Sequence, residues 1–308
     1  MGNVFKRSSG RAWTMRQRSM TLWRQWIELL NTKENPLKFH KRLIQIANSE
    51  TEALSIRKLC ADRKDLGLEL LKSNRTTNIL PNWPTNHYEG LISNEDGRID
   101  PLQLQKCLLN ALKQLKVDTV FHKVNKLNRI TSTQTRQWSL DLANGEKLSS
   151  EIIVICASLG SNKLLESLSY SLPIMPVLGQ VLELQLKGNN YDWSGWPSVL
   201  SYTGINVIPY GSNRILMGAT LEPGIIESTK TLQDMKTMYG QAPSWIKEAS
   251  IERHWSGLRG RPMNRPSPIL QTLEPGLVIA TGLYRNGILL APATAEWVAM
   301  EIIKPMHN

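Results

Sequence analysis

Apolar positions along the chain switch between helical and alternating periods. In "SMTLWRQWIELL", Met20, Trp23, Ile27 and Leu30 fall on one helical face, with Ser19 in place as N-cap. "RLIQIA" reads as a short strand, and "SETEALSIRKLCADRKDLGLELL" as helix opening on a capping box of Ser49 and Glu52. "NILPNWPTNHYEG" is a Pro- and Asn-rich connection. "DGRIDPLQLQKCLLNALKQL" predicts a turn and then a helix. Asp100 would cap it, Pro101 takes the first helical position, and Leu104, Leu108, Ala111, Leu112 and Leu115 follow at helical spacing.

"VDTVFHKVNKL" reads as a strand and "QWSLDLANGEKLSS" as a hairpin turning on Asn144-Gly145. "EIIVICAS" is a continuous apolar run, as in a strand covered on both faces. From Val177 the texture becomes antiparallel sheet: "VLELQL", then "NVIPYGSNRILMGAT" folded about a Gly-Ser-Asn turn. "TLQDMKTMYGQAPSWIKEA" is helical. "HWSGLRGRP", the strand "GLVIATG" and a last helix through "PATAEWVAMEII", with Pro292 near its first turn, complete the chain. Helix, strand, hairpin and buried strand between Asp100 and Ser158 make a layered α/β arrangement.

At 308 residues and 41% apolar content the sequence supports a substantial core, in one large domain or two. No run approaches the roughly 20 apolar residues of a membrane-spanning helix. Cys60, Cys107 and Cys156 stand apart without CxxC, as reduced core residues of a reducing compartment do. The five histidines form no cluster at metal spacing, so no metal site is expected. The net charge of +11 is compatible with nucleic acid or an anionic surface. No aromatic-interleaved basic stripe supports a nucleic-acid module. Lys6, Arg7, Arg11, Arg16, Arg18 and Arg24 all precede the first acid, Glu28, which also suits a transit peptide; the apolar helical face from Met20 argues for folded protein.

Two motifs could carry chemistry. "ATGLYRNGILLAPAT" runs from a buried strand through Gly282 and Gly287 into a helix, the layout in which free N–H groups and the helix dipole receive an anion. A plain βα turn with a surface arginine fits the same letters. Arg259 in "SGLRGRP" could fork onto a carboxylate, or stack on Trp255.

These stretches, with "DGRIDPLQL", "IIVICASLGSN", "PVLGQVLEL" and "VIPYGSNRILMGATLEPG", occur in an order that resembles the flavin-dependent amine oxidase family that includes glycine oxidase and D-amino-acid oxidase. The resemblance is strong from Asp96 onward and weak before it. It implies noncovalent FAD, a small amino acid or amine over the flavin ring, hydride transfer to the flavin, and oxygen or another acceptor to regenerate it. Arg285, Asn286, Gly287, Ile288 and Leu289 would lie at the isoalloxazine edge, beside Gly282. Ser158 would lie at the cofactor, the backbone at Val124 at the adenine, and Ser8, Ser9 and Gly10 at phosphate. Arg259 would grip the substrate carboxylate, with Leu221 and Asn206 lining the substrate pocket.

The chain also departs from the pattern. It contains no GxGxxG, and Met1-Gly2 stands where the family is already past that unit. Asn206 stands at a family tyrosine, "RPMNRPSP" lacks the usual Asp-Gly, and Ser158 and Gly160 replace Gly and Trp. The expected fold is therefore α/β: an incomplete Rossmann-like FAD-binding domain formed by residues 1–34, 95–174 and 256–308, with an antiparallel-sheet substrate domain at 35–94 and 175–255. The expected protein is a cytoplasmic flavoprotein with no nucleic-acid partner, and a homo-oligomer is compatible with it. The alternative is a truncated, non-catalytic member, or a chain with a misplaced start, that does not hold FAD stably.

Overall fold

The computed structural model describes residues 2–80, 82–84, 88–131, 136–188 and 191–303. The elements begin with α1 (Arg11–Leu30), β1 (Phe39–Ile46), α2 (Glu50–Asp62), β2 (Leu68–Leu71), α3 (Ser73–Ile79), β3 (Gly90–Ile99) and α4 (Pro101–Gln114). Next come β4 (Val124–Thr131), β5 (Arg136–Leu142), β6 (Lys147–Ser150), β7 (Ile153–Ile155), α5 (Ser161–Glu166) and β8 (Ile174–Gln185). β9 (Val199–Tyr202), β10 (Ile205–Pro209), β11 (Arg214–Gly218), β12 (Glu222–Pro223), α6 (Thr229–Lys236) and α7 (Ser244–Lys247) follow. β13 (Ser250–Pro262), β14 (Ile269–Glu274), β15 (Leu277–Thr281) and α8 (Gly287–Ile303) close the chain. The protein is mixed α/β, divided into two compact units.

The first unit comprises residues 1–8, 31–105 and 178–258. Its sheet runs β12-β8-β11-β10-β9-β1-β3-β2, with β13 also paired to β8. Strand alternation sends Ile44, Leu182, Leu200, Val207 and Met217 into one core, which Met235, Met238 and Ile246 cover. Leu43, Leu68, Leu91 and Val199 enter a second core, against Ala53, Ile56 and Cys60 of α2. Ser49 caps α2 as the spacing predicts, its hydroxyl accepting from Glu52 N at 3.3 Å. The helix stops at Asp62, short of the expected length, because Gly67 turns the chain at φ +77° and "LELL" pairs as β2 with β3. The expected connection at 78–90 begins within α3, and residues 81 and 85–87 of it lie outside the described residues.

The predicted Asp96-Gly97 turn is instead part of β3. A register shift opposite Arg42, at φ +73°, accommodates residues 94–96. This places the buried Asp96 carboxylate against the backbone N–H groups of Gly2, Asn3 and Val4 and the Ser93 hydroxyl. Arg63 takes the neighbouring carbonyls of Asn3, Phe5 and Arg7. Acid and guanidinium thus satisfy donors and acceptors of one N-terminal segment, which turns at Asn3 and Val4.

The second unit comprises residues 9–30, 106–177 and 259–308. One sheet is the antiparallel β4-β5-β6, whose β5–β6 turn carries Gly145 at φ +89° as the hairpin signal predicts. β4 begins only at Val124, so "VDTVFH" is not strand. The other sheet is β14-β15-β7, with β15 antiparallel to β14 and parallel to β7. "EIIVICAS" does not supply the strand covered on both faces: β7 is three residues long, lies at the end of its sheet and leaves Ile153 and Val154 partly exposed. The fully buried strand is β15. Cys60 and Cys107 are buried as expected, whereas Cys156, just beyond β7, is exposed.

Ser19 corrects the sequence reading more sharply. α1 starts at Arg11, so Ser19 is an interior residue, and its hydroxyl accepts from Ala293 N of α8 at 3.2 Å. Pro292 lies inside α8 and has no N–H to offer Ile288 O. Trp23 Nε1 donates there instead, at 3.0 Å, and to Leu289 O at 3.1 Å. Asp100 does cap α4, accepting from Leu102 N and Gln103 N.

Candidate functional site

In the second unit, parallel β7 and β15 each run at their carboxyl ends into a 3-10 turn and then a helix, α5 and α8. Crevices at such strand ends are where open α/β sheets bind ligands. Ser161 Oγ donates to Thr281 Oγ1 at 3.2 Å, tying the start of α5 to the end of β15. Gly282 has φ +64°, and a Cβ there would stand 2.9 Å from Pro262 Cγ and 3.2 Å from Ile269 Cγ1. Glycine is required on both counts. Tyr284 also takes a left-handed backbone, at φ +53°, so the chain bends twice before α8. Gly287 opens α8, with nothing within 4 Å of where its Cβ would be. Arg285, Gly287 and Ile288 are exposed, Asn286 and Leu289 half-buried. No acid occupies the first turn of α8, so its N-terminal N–H groups retain a positive field.

Arg259, on β13, is half-buried. Burial, and then the nearby Arg285, lower its guanidinium pKa, with Tyr284 acting in the opposite sense. Arg261 lies over the Tyr284 ring, its Cζ 5.8 Å from the centroid. Between them Gly260 is held so tightly that a Cβ would meet Ser158 Oγ at 2.8 Å and Ile174 Cγ2 at 3.1 Å. Ser158 itself has φ +50°. The structure thus gathers Arg259, Ser158, Gly282 and Arg285 around one end of the β7–β15 pair.

The other predicted residues lie on other elements. Ser9 and Gly10 are exposed ahead of α1, where Gly10 O accepts from Trp13 N and Thr14 N. Val124 is half-buried at the start of β4, opposite Leu142. In the first unit, Ser8 is exposed and Leu221 is 45% exposed after β11. Asn206 on β10 pairs with Gly218 and Ser201, and its Oδ1 is a buried acceptor without a partner. Motif reading missed Tyr284 and the buried Gln180 and Glu222; the polar letters inside "LGQVLEL" and "GATLEPG" were the available signal. A cavity of about 500 Å³ walled by Tyr191, Trp193, Trp196 and Trp245 also lies in the first unit, and contains none of the predicted residues. Among the described residues no cluster of His, Cys, Asp and Glu could hold a metal ion, and no helix is long and apolar enough to cross a membrane.

The model of the FAD dependent oxidoreductase family, DAO, matches residues 2–300. The chain belongs to that family. Among relatives, glycine oxidase of Pseudomonas putida is 31% identical over 177 residues, covering 56% of this chain and 45% of the relative. The bifunctional protein ThiO/ThiG of Synechocystis sp. is 28% identical over 215 residues, covering 67% of this chain and 30% of the relative. The chain therefore matches under half the length of either curated relative. The fold is shared with glycine oxidase from Geobacillus kaustophilus, at TM-score 0.81 and 21% identity over 98% of this chain and 81% of that one. Iminodiacetate oxidase from Chelativorans sp. BNC1 gives TM-score 0.81 and 17% identity, over 100% and 85%.

For a member of this family the cofactor is FAD, and the turn around Gly282 and Gly287 fits it. Gly287 leaves open space at the start of a 17-residue helix, and Arg285 brings a positive charge to the same place. An electron-rich ring edge suits such a site.

Proposed function

We propose that the chain holds FAD and oxidises the C–N bond of a small amino acid or amine, as a glycine oxidase-like enzyme. The observation that carries this reading is the pair Arg259 and Arg285: two guanidiniums in electrostatic range, one of them half-buried, favour anionic ligands. FAD, when bound, supplies the acceptor for a hydride from the carbon bearing the nitrogen, and oxygen is the proposed terminal acceptor.

Arg259 binds the substrate carboxylate and so fixes the α-carbon, a charge-assisted contact that converts binding into orientation. Leu221 gives an apolar wall, and the Asn206 amide oxygen accepts a hydrogen bond from the ligand. Arg285, Asn286, Gly287, Ile288 and Leu289 stabilise negative charge on the reduced ring through main-chain N–H groups and the helix end. Gly282 and Ser158 let backbone approach the cofactor, Val124 meets the adenine, and Ser8, Ser9 and Gly10 meet phosphate. In this reading residues 1–34, 95–174 and 256–308 form the FAD domain, and 35–94 with 175–255 the substrate domain. The compartment is the cytoplasm, in keeping with three free cysteines. A second reading, in which FAD is not held stably, is favoured by the absence of any two glycines separated by a single residue.

Reconstitution separates the two. Purified protein incubated with FAD should retain a flavin spectrum that bleaches anaerobically on adding glycine; a colourless protein after reconstitution overturns the proposal. Arg259→Ala should raise KM by about 10- to 100-fold, the loss of one charge-assisted hydrogen-bonded contact, with flavin retained. Equal loss of substrate and flavin binding would remove Arg259 from its assigned role.

A further inference from the structure

The connection between β8 and β9 carries Tyr191, Trp193 and Trp196 within six residues, in a chain that is only 6% aromatic. These three, with Trp245 of α7, are all half-buried. Each packs in part on the core of the first unit, where Trp83 is buried with its ring centroid 6.4 Å from those of both Trp196 and Trp245. The rest of their surface walls the cavity of about 500 Å³. A single exposed ring needs no account, but four around one concavity of that size make the apolar lining of a ligand site.

The rings hold one another in place. Trp193 stacks on Tyr191 at 5.5 Å and 14°, and stands edge-on to Trp196 at 5.1 Å and 86°. Trp196 meets Trp245 at 5.8 Å and 83°. Trp245 Nε1 donates to Asn82 O at 3.1 Å, Tyr191 OH to Lys187 O at 3.0 Å, and Trp196 N closes a turn onto Trp193 O at 3.0 Å. A wall already ordered loses little entropy when a ligand enters. Its charges are unequal. Lys187 is paired with Glu248 at 3.4 Å, whereas the exposed Asp192 forms no ion pair among the described residues. Ser194 N donates to Asp192 Oδ1 at 2.8 Å, and hydrogen bonds from Ser194, the backbone one first, lower the pKa of that carboxyl. The cavity therefore offers an unpaired carboxylate beside ring faces that are themselves electron-rich.

We propose that this cavity binds a small organic cation of the quaternary ammonium class. A methylated ammonium has no N–H to satisfy and spreads its charge over its methyl groups, so ring faces attract it without a matching set of hydrogen-bond acceptors. A primary ammonium is a compact, strongly hydrated charge and gives up more on leaving water. An anion would face Asp192 and the electron-rich rings together, and a neutral sugar would gain nothing from the charge of Asp192. The volume exceeds that of a trimethylammonium head, leaving room for a polar tail, for which Asn78 and Asn82 in the lining supply amides. None of the residues assigned above to FAD or to the oxidised amine lines this cavity, and the proposal does not depend on flavin.

The test is calorimetric titration of the full chain, at matched ionic strength, with choline and with its neutral isostere in which carbon replaces the ammonium nitrogen. Choline should bind about 10-fold more tightly, the combined effect of cation–π and ion-pair attraction at a half-exposed site. Asp192→Asn alters only an exposed side chain, and should weaken choline by about 2- to 5-fold while leaving the isostere as it was. Trp193→Leu keeps an apolar wall without its π face, and should weaken choline by about 3-fold. Arg259→Ala should change neither ligand. Equal affinity for choline and the isostere, or no saturable binding of choline, overturns the proposal. So does choline binding that survives both cavity variants or is lost with Arg259→Ala, since the cation then sits elsewhere. Maltose bound more tightly than choline would make this a sugar site and overturns it too. The titration needs no flavin, so protein that fails to take up FAD overturns the functional reading and leaves the cation site decided.

Discussion

At the scale of single residues, glycines and buried polar groups determine the local geometry. Gly282 combines a left-handed φ with a Cβ position already taken by Pro262 and Ile269, so Gly282→Ala meets both a backbone and a packing penalty. The expected destabilisation is about 1–3 kcal/mol, read as a shift in the urea midpoint, together with weaker flavin retention. Glu222 gives a pH-dependent term. Its folded carboxyl has a pKa below the ordinary value of 4.5, so the stabilisation is fully present above that value and is lost as pH falls through the folded pKa. The stability gap between wild type and Glu222→Gln should therefore be widest near neutrality and shrink below about pH 4; urea titrations across that range measure it. The motif letters pointed to Gly282 and Arg259, and the structure places both beside Arg285. They did not point to Gln180, because a glutamine inside an alternating strand has no periodic signature until its neighbours are known.

At the scale of elements, local rules succeeded where the stabilising contact is local. Ser49 and Asp100 cap their helices, and Asn144-Gly145 turns its hairpin, because each motif is completed within a few residues. The same rules failed at Ser19, whose partner is Ala293, and at Asp96, whose partners are Gly2 to Val4. They failed also at "EIIVICAS": apolar content announces a strand, while the depth of that strand depends on its place in the sheet. The α1–α8 seam provides a test at this scale. Trp23→Phe keeps an aromatic ring and deletes the donor to Ile288 O and Leu289 O, and should cost about 1–3 kcal/mol for carbonyl groups left without it. A denaturation midpoint unchanged from wild type would mean that water takes over the same carbonyls.

For the whole molecule, the alternation from residue 177 onward correctly announced the antiparallel pairs of β8, β9, β10 and β11, and the mixed α/β class was legible in the sequence. What pattern alone could not supply was strand order, since β1 pairs in parallel with β9, more than 150 residues later, and only the folded chain specifies that match. A ligand that binds only the native state raises its apparent stability by mass action. If FAD is held as proposed, saturating it at about 100 times its Kd should add about 2.7 kcal/mol, visible as a higher Tm that tracks FAD concentration; riboflavin, lacking the adenylate end, should give less.

The proline inside α8 has a consequence for how this sequence can change over generations. Pro292, Trp23 and Ser19 share one set of backbone groups: the imino acid removes a donor, the indole supplies one, and the hydroxyl receives the next amide along. Restoring an ordinary residue at 292 makes the indole redundant, whereas losing the indole first leaves a bare carbonyl in a packed seam. Substitution is therefore ordered, with 23 free to drift only after 292 has changed. Among descendants of this chain, the two positions should be inherited as a linked pair.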